Sequence, residues 1–173
     1  GYHEVEMLGY RDSGMPDTEP NKHPDAFANA PPDEAVERLV AVIRRERPQV
    51  IGTYPDDQSG YPHPDHLRVH DISVPAFERA GDPDAHPDAG EPWQPLKLYY
   101  SVWSRRRIEA MHRRFVELGL ESPFPPEWLE RESQDDRITT PIDIAGFNEV
   151  RLDALLAHET PVDPASPFWF GLP

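Results

Sequence analysis

Between Pro32 and Tyr54 an amphipathic helical pattern is followed at once by a short apolar run, and that order predicts an α/β architecture. Val36, Leu39, Val40 and Ile43 fall at i, i+3, i+4 and i+7, one apolar face of a helix that opens at Pro32-Asp33 and runs to about Arg47. Pro48 stops it. Val50-Ile51-Gly52-Thr53-Tyr54 follows, as expected of a buried parallel strand in an αβ unit.

The same reading extends along the chain. Val5 to Tyr10 reads as a short strand, with Arg11-Asp12-Ser13-Gly14 as its exit loop. Residues 16–32 hold five prolines and read as a surface loop. Pro55 to Pro64 is a second loop, and Asp65 is the expected cap of a helix over 65–80 with Gly81 just beyond it. That helix places His66, Val69, His70, Ser73, Ala76 and Phe77 on one face, with Pro75 in its interior. Lys97 to Tyr100 is a strand. A helix on Ile108, Met111, Phe115 and Leu118 runs from about Ser104 and ends at Gly119. Residues 121–136 read as irregular, Arg137 to Asp143 as an edge strand, and 145–158 as a last helix. The aromatic tail Phe168-Trp169-Phe170 has to bury. The strands are few for a complete doubly wound sheet, so the chain is expected to be the later half of one.

Composition excludes several classes. A chain of 173 residues is one domain's worth, and 37% apolar residues suffice for a core. With net charge −15 and no basic cluster, nucleic acid is not an expected partner. There is no cysteine, which removes disulfides, thiol nucleophiles and thiolate zinc sites. No apolar run has the length of a membrane span, so no membrane partner is expected and a cytoplasmic location is. Arginine far outnumbers lysine and proline is abundant, which suits a high-GC bacterial source. The first residue is Gly1 rather than Met, and the natural N-terminus is expected upstream.

Chemistry concentrates in Gly60-Tyr61-Pro62-His63-Pro64-Asp65-His66. Two histidines bracket Pro-Asp where a loop after a buried strand enters a helix, and ligands bind at the carboxyl ends of such strands. Imidazole is the commonest metal ligand near neutral pH, and two of them three residues apart can share one site as ligand and acid–base group. The alternative is a polar helix start with two solvated histidines. The chain contains its own controls: His-Pro-Asp recurs at 23–25 and 86–88, but only the middle copy ends in a second histidine and follows a strand. The outer copies read as solvated turns. His70, one turn beyond His66, reads as a core or supporting residue, with His70 or Asp65 the reserve ligands. His158 reads as a contact for the last carbonyls of its helix. Asp56 and Asp57 read as turn residues, and Trp93, Tyr99, Tyr100 and Trp103 as core.

That segment resembles the second signature of the LmbE/PIG-L family of zinc N-deacetylases and amidases. Tyr10-Arg11-Asp12-Ser13-Gly14-Met15, Ala76 to Pro83, Glu91 to Tyr100, Ala157-His158-Glu159-Thr160 and Asp163 to Phe170 are similar as well, so the likeness spans almost the whole chain. The resemblance implies a Rossmann-like LmbE/PIG-L fold, with residues 1–173 forming one hydrolase domain incomplete at its N-terminus. It implies Zn2+, or alternatively Fe2+, with His66 as a metal ligand. His63 would act as general acid and oxyanion stabiliser, and Tyr61 would contact the polarised carbonyl. Asp12 would help hold the sugar of the substrate, with Arg11 beside it either joining in or forming a surface pair. The Trp93 segment favours members that open the amide of mycothiol S-conjugates, a small-molecule thiol-conjugate substrate, over those that deacetylate a glucosaminyl-inositol. Other readings are a natural-product amidase or a metal-free binding module. Two departures stand out. The family's early Ala-His-Pro-Asp-Asp-Glu motif, which carries two metal ligands and the base, has no match and is expected upstream of Gly1. Pro161 stands where the closing motif would have Gln.

Overall fold

The computed structural model describes residues 3–58, 60–158 and 162–172. The chain divides into two compact units, Gly1–Ser101 and Val102–Pro173.

The first unit is an α/β layer built on helix α1 (Pro32–Glu46), strand β1 (Val50–Thr53), helix α2 (Pro64–Arg79) and strand β2 (Lys97–Tyr100). β1 and β2 pair in parallel, Val50 opposite Lys97 and Thr53 opposite Tyr100, so α2 lies in the crossover that parallel strands require. The expected α/β class therefore stands. Pro32 starts α1 with the φ a helix needs. Asp33 and Glu34 in its first turn and Arg44 and Arg45 in its last complement the helix dipole. Arg47 closes it in the left-handed region, at φ 48°, with its N–H on Ile43 O. The core forms where Ala35, Val36, Val40 and Ile43 of α1 meet Ile72, Ala76 and Ala80 from α2 and its end. Trp93 packs at the edge of this core and donates Nε1–H to Pro48 O at 2.8 Å.

One buried cation organises the long connection from α2 to β2. Arg44 is 3% exposed. Its guanidinium donates to Ala80 O at 3.0 Å, His86 O at 2.7 Å and Gly90 O at 3.1 Å. It also reaches Arg79 O at 3.3 Å, Asp82 O at 2.7 Å and Ala85 O at 2.8 Å. Burying such carbonyls unpaired is costly. Backbone N–H groups of Asp82, Trp93, Ala85 and Ala89 serve Arg79 O, Ala80 O, Asp82 O and His86 O, and the guanidinium adds a donor to each of these and serves Ala85 O and Gly90 O as well. The arginine fork satisfies them together.

Three strand expectations differ from the structure. Residues 5–10 are extended but pair with no strand among the described residues. Gly9 turns the backbone at φ 82°, and Leu8 O is held by Arg38 at 2.6 Å rather than by a neighbouring strand. Residues 137–143 likewise form no strand, since Pro141 offers no N–H to a ladder and Ile142 is exposed. β1 is less buried than expected: Val50 is half exposed, because β2 alone flanks β1 among the described residues.

The second unit is helical. Ser104 caps α3 (Arg105–Glu117), its Oγ accepting Arg107 N–H at 3.1 Å. Asp135 accepts the N–H groups of Arg105 at 2.6 Å and Arg106 at 3.1 Å. The stretch expected to be irregular contains a short helix α4 (Pro126–Glu130), which Pro126 at its first turn favours. α5 (Asn148–Leu156) and α6 (Pro167–Phe170) follow. Ile108, Phe115 and Phe124 form the core, with Trp128, Leu129 and Phe168 around it. The aromatic tail is only half-buried, less than expected, with Phe168 stacking on Trp103 at 5.9 Å between centroids. The face of α5 does not bury, with Phe147 and Val150 exposed. No helix among the described residues is long and apolar enough to cross a membrane.

Arg44→Leu removes a cation that serves six carbonyls, and by the worth of charge-assisted hydrogen bonds it should destabilise the protein by about 3 kcal/mol or more in urea unfolding. A loss below about 1 kcal/mol would mean that those carbonyls find water instead.

Candidate active site

The site grows from the first turn of α2. Pro64 occupies the first helical position and has no N–H, so His63 becomes the N-cap, its Nδ1 accepting Asp65 N–H at 3.2 Å. The cap expected of Asp65 is therefore made by His63. Asp65 turns outward instead, and its Oδ2 accepts Ser13 N–H at 3.1 Å. Ser13 is fully buried, and its Oγ accepts Ala28 N–H at 2.9 Å. Next to it, Asp12 Oδ1 accepts Gly14 N–H at 2.8 Å in a tight turn. Gly14 sits at φ 61°, and a Cβ there would meet Thr18 Oγ1 at 2.9 Å, so this turn needs glycine.

Asp12, His63 and Asp65 consequently meet, with one potential ligand atom from each lying within 4.8 Å of the others. Asp65 Oδ1 is buried and has no hydrogen-bond partner. A divalent ion fits this set, because imidazole nitrogen and carboxylate oxygen are donors that first-row ions accept, and a cation would satisfy the orphaned oxygen.

His66 stands beside this cluster rather than in it. Its ring stacks on Tyr54 with centroids 4.1 Å apart, and its Nε2 lies 3.2 Å from the Tyr54 hydroxyl. The ring of His63 is 5.1 Å away and that of Tyr61 5.4 Å. Gln58 Nε2 donates to His66 O at 3.0 Å. His70 supports the site from below, its Nδ1 lying 3.1 Å from Tyr54 O. Tyr61 is half exposed, its hydroxyl 4.0 Å from Met15 Sδ, a weak contact. Arg11 is pinned by its backbone alone: it donates N–H to Asp25 O at 3.2 Å and accepts Phe27 N–H at 2.9 Å, while its side chain is exposed.

Burial pushes the His66 imidazole below its ordinary value, neighbouring His63 adds to the effect, and Asp65 opposes it. Burial likewise raises the Tyr54 phenol, with Tyr61 adding to it. His66 is thus the neutral, ligand-competent form at neutral pH.

The outer His-Pro-Asp copies behave as turns. His23 Nδ1 accepts Asp25 N–H at 3.1 Å, the same local bond as in the middle copy, and His86 opens a short 3-10 turn. Asp56 Oδ1 accepts Asp57 N–H at 2.9 Å, as a turn residue does. His158 is exposed, and Glu159, Thr160 and Pro161 lie outside the described residues. Sequence reasoning missed Ser13, Tyr54 and Arg68. Ser13 lay inside the Tyr10–Met15 segment that carries the resemblance, Tyr54 carried no motif signal, and Arg68 could have been found from its place one turn after Asp65.

Fold and site together define an α/β protein with a histidine–carboxylate centre at the start of its crossover helix. Residues 1–77 match the family model of PIG-L, described as GlcNAc-PI de-N-acetylase. A mycothiol S-conjugate amidase of Streptomyces coelicolor is 44% identical over 177 residues, covering 97% of this chain and 59% of that protein. A 1D-myo-inositol 2-acetamido-2-deoxy-alpha-D-glucopyranoside deacetylase of Thermobifida fusca is 41% identical, covering 94% of this chain and 57% of its own length. A protein of the same description from Rhodococcus erythropolis is 42% identical, covering 90% and 52%. The chain belongs to the PIG-L family, and it spans 52% to 59% of the length of these relatives.

The His66 shift sets a sign for pH. Below the ordinary imidazole value of 6.5 the unfolded chain takes up a proton that folded His66 resists, so stability is full above that pH and is lost as pH falls through the lower folded value. His66→Phe keeps a ring on Tyr54 and removes the titration. Its urea midpoint should fall less than that of the wild type between about pH 7 and pH 5. Equal slopes would rule the effect out.

Proposed function

We propose that these residues form the substrate-facing side of a metal-dependent amidohydrolase acting on linear amides. Its reaction would be hydrolysis of the amide of mycothiol S-conjugates, giving a mercapturic acid and glucosaminyl-inositol, a detoxification. The observation that carries this reading is the meeting of Asp12, from a loop far back in the chain, with His63 at the start of α2. The likeness to the Streptomyces amidase over 97% of this chain supports it.

The ion, Zn2+ with Fe2+ as alternative, would have His66 as a ligand. When bound, such an ion acidifies water and polarises a carbonyl. His63 has a defined task. Its Nδ1 lone pair is engaged by Asp65 N–H, so the neutral ring carries its proton on Nε2. That N–H can donate to the carbonyl oxygen as the carbon becomes tetrahedral. Service as general acid needs a proton on Nδ1 as well and breaks the cap, so the two roles are separable. The Tyr61 hydroxyl, whose hydrogen-bond contact among the described residues is a weak one to a thioether, is available to the same oxygen. Asp12 accepts from sugar hydroxyls, and the exposed side chain of Arg11 donates to them. Water adds to the carbonyl carbon, the C–N bond breaks, and the amine leaves protonated.

A second reading, N-deacetylation of a glucosaminyl-inositol, is favoured by the 41% and 42% identity to proteins described as such deacetylases. Assay of the whole protein on a mycothiol conjugate and on the acetylated aminosugar separates the two, the larger kcat/KM naming the substrate.

In the whole protein, His66→Ala should strip the metal while the fold persists, read by elemental analysis and circular dichroism. Full metal occupancy in that variant would shift the ligand role to the Asp12, His63 and Asp65 set. His63→Ala should lower kcat per bound metal by about 10²–10³, the usual cost of one oxyanion donor, with metal content near normal. Tyr61→Phe should do so more mildly. If both instead lose metal and thermal stability together with kcat per metal unchanged, they merely pack the loop.

A further inference from the structure

α2 grips the loops behind Asp12 at two points. At its first turn Asp65 Oδ2 accepts Ser13 N–H at 3.1 Å. Three residues on, a spacing that keeps side chains on one side of a helix, Arg68 Nη2 donates to Ala28 O and to Ala30 O, the latter at 3.2 Å. The two grips are joined on the loop side, because Ala28 N–H donates to Ser13 Oγ at 2.9 Å. The contacts close a ring that runs from Asp65 to Ser13, to Ala28, to Arg68 and back along the helix. Ser13 is fully buried within it, and Asp12 is its chain neighbour.

We propose that Arg68 is a positioning residue for substrate: by holding residues 28–30 against α2, it holds Ser13, and through Ser13 it fixes the Asp12 carboxylate beside His63. This rests on the reading of Asp12 as the carboxylate that holds the sugar. Arg68 touches neither Asp12 nor His63, so its effect passes through backbone. Without the arginine, Ser13 keeps its bond to Asp65 but loses the support behind Ala28. Asp12, which is exposed and otherwise held by its own turn, is then free to drift from the helix end. The planar arginine head serves two carbonyls from one nitrogen in a fixed direction, and a lysine ammonium is less well fixed.

The test uses the whole metal-loaded protein and a mycothiol S-conjugate. Arg68→Met should raise KM about tenfold, the equivalent of one charge-assisted hydrogen bond, while kcat and metal content stay within about twofold. Amide exchange should quicken at Ser13 and Ala28, and Arg68→Lys should recover part of both changes. An unchanged KM with faster exchange, or a joint fall of kcat and metal, overturns the proposal in favour of a structural role. If Arg68→Met fails to fold, Ser13→Ala removes the ring's Oγ alone and carries the same readouts. If the wild type opens no aminosugar amide, the proposed function fails by itself. Exchange then decides the clamp: faster exchange at both amides supports it, and unchanged exchange overturns it.

Discussion

Pro64 has no N–H to give and a φ already set near the helical value, so α2 begins there and the arrangement of the site follows. A helix start leaves backbone N–H groups in need of acceptors. With proline at the first position, the next donor is Asp65 N–H, and the nearest acceptor behind it is His63 Nδ1. That single assignment fixes the His63 ring, turns its other nitrogen outward and releases the Asp65 carboxylate to reach Ser13. Had Asp65 been the cap, its carboxylate would have been spent on its own helix and the Asp12 loop would have lost its anchor. The same local bond at His23-Pro24-Asp25 is made without a helix behind it, and no site forms there. The tripeptide can make this bond without a helix, although His86 at the third copy, held in the left-handed region, does not make it, and the site needs the tripeptide on α2.

The elements that were legible in the sequence are those whose own pattern stabilises them. α1, β1, β2 and α3 announce themselves through apolar spacing and stop signals, and each lies within a residue or two of its expected bounds. The elements misread depend on partners. Residues 5–10 and 137–143 have strand-like composition, but a strand exists through its ladder, and neither segment has one among the described residues. α4 was hidden for the opposite reason: one turn of helix carries too little periodicity to register, and it forms because Trp128 and Leu129 find Phe124, Ile108 and Phe115. Arg44 gave no signal either. On α1 it reads as an ordinary cation near a C-terminus, and its burial arises only when the loop after α2 folds over it.

Within the site, legibility divides along the same line. The residues of the His63–His66 motif stand out in the sequence as candidates because their spacing is local, and Asp12 does so through the resemblance of its segment. Their meeting was not, since it is carried by Ser13 backbone, Asp65 Oδ2 and the Arg68 clamp. Backbone N–H groups have no sequence signature. Nor was it visible that Tyr54, at the end of β1, lies against His66 and keeps its ring in place.

The electrostatics of this corner are unfinished in a way that favours a cation. Asp12 and Asp65 approach each other around His63 in a chain of net charge −15, and Asp65 keeps one buried oxygen without a hydrogen bond. Two carboxylates brought together in this way repel, and an unsatisfied buried oxygen adds its own desolvation cost. Nearby, burial pushes the His66 imidazole below its ordinary value, and its Nε2 lies 3.2 Å from the Tyr54 hydroxyl, a contact far weaker than a metal bond. A positive ion beside Asp12, His63 and Asp65 would relieve the carboxylate repulsion and satisfy the orphaned oxygen. The stability lost in assembling such a corner is of the kind proteins retain at functional sites. It is the same reasoning, from acceptors in excess of donors, that explains why Arg44 is buried beneath its six carbonyls in the opposite corner of α2. There the chain supplies the cation itself; at the start of α2 it leaves the acceptors for another.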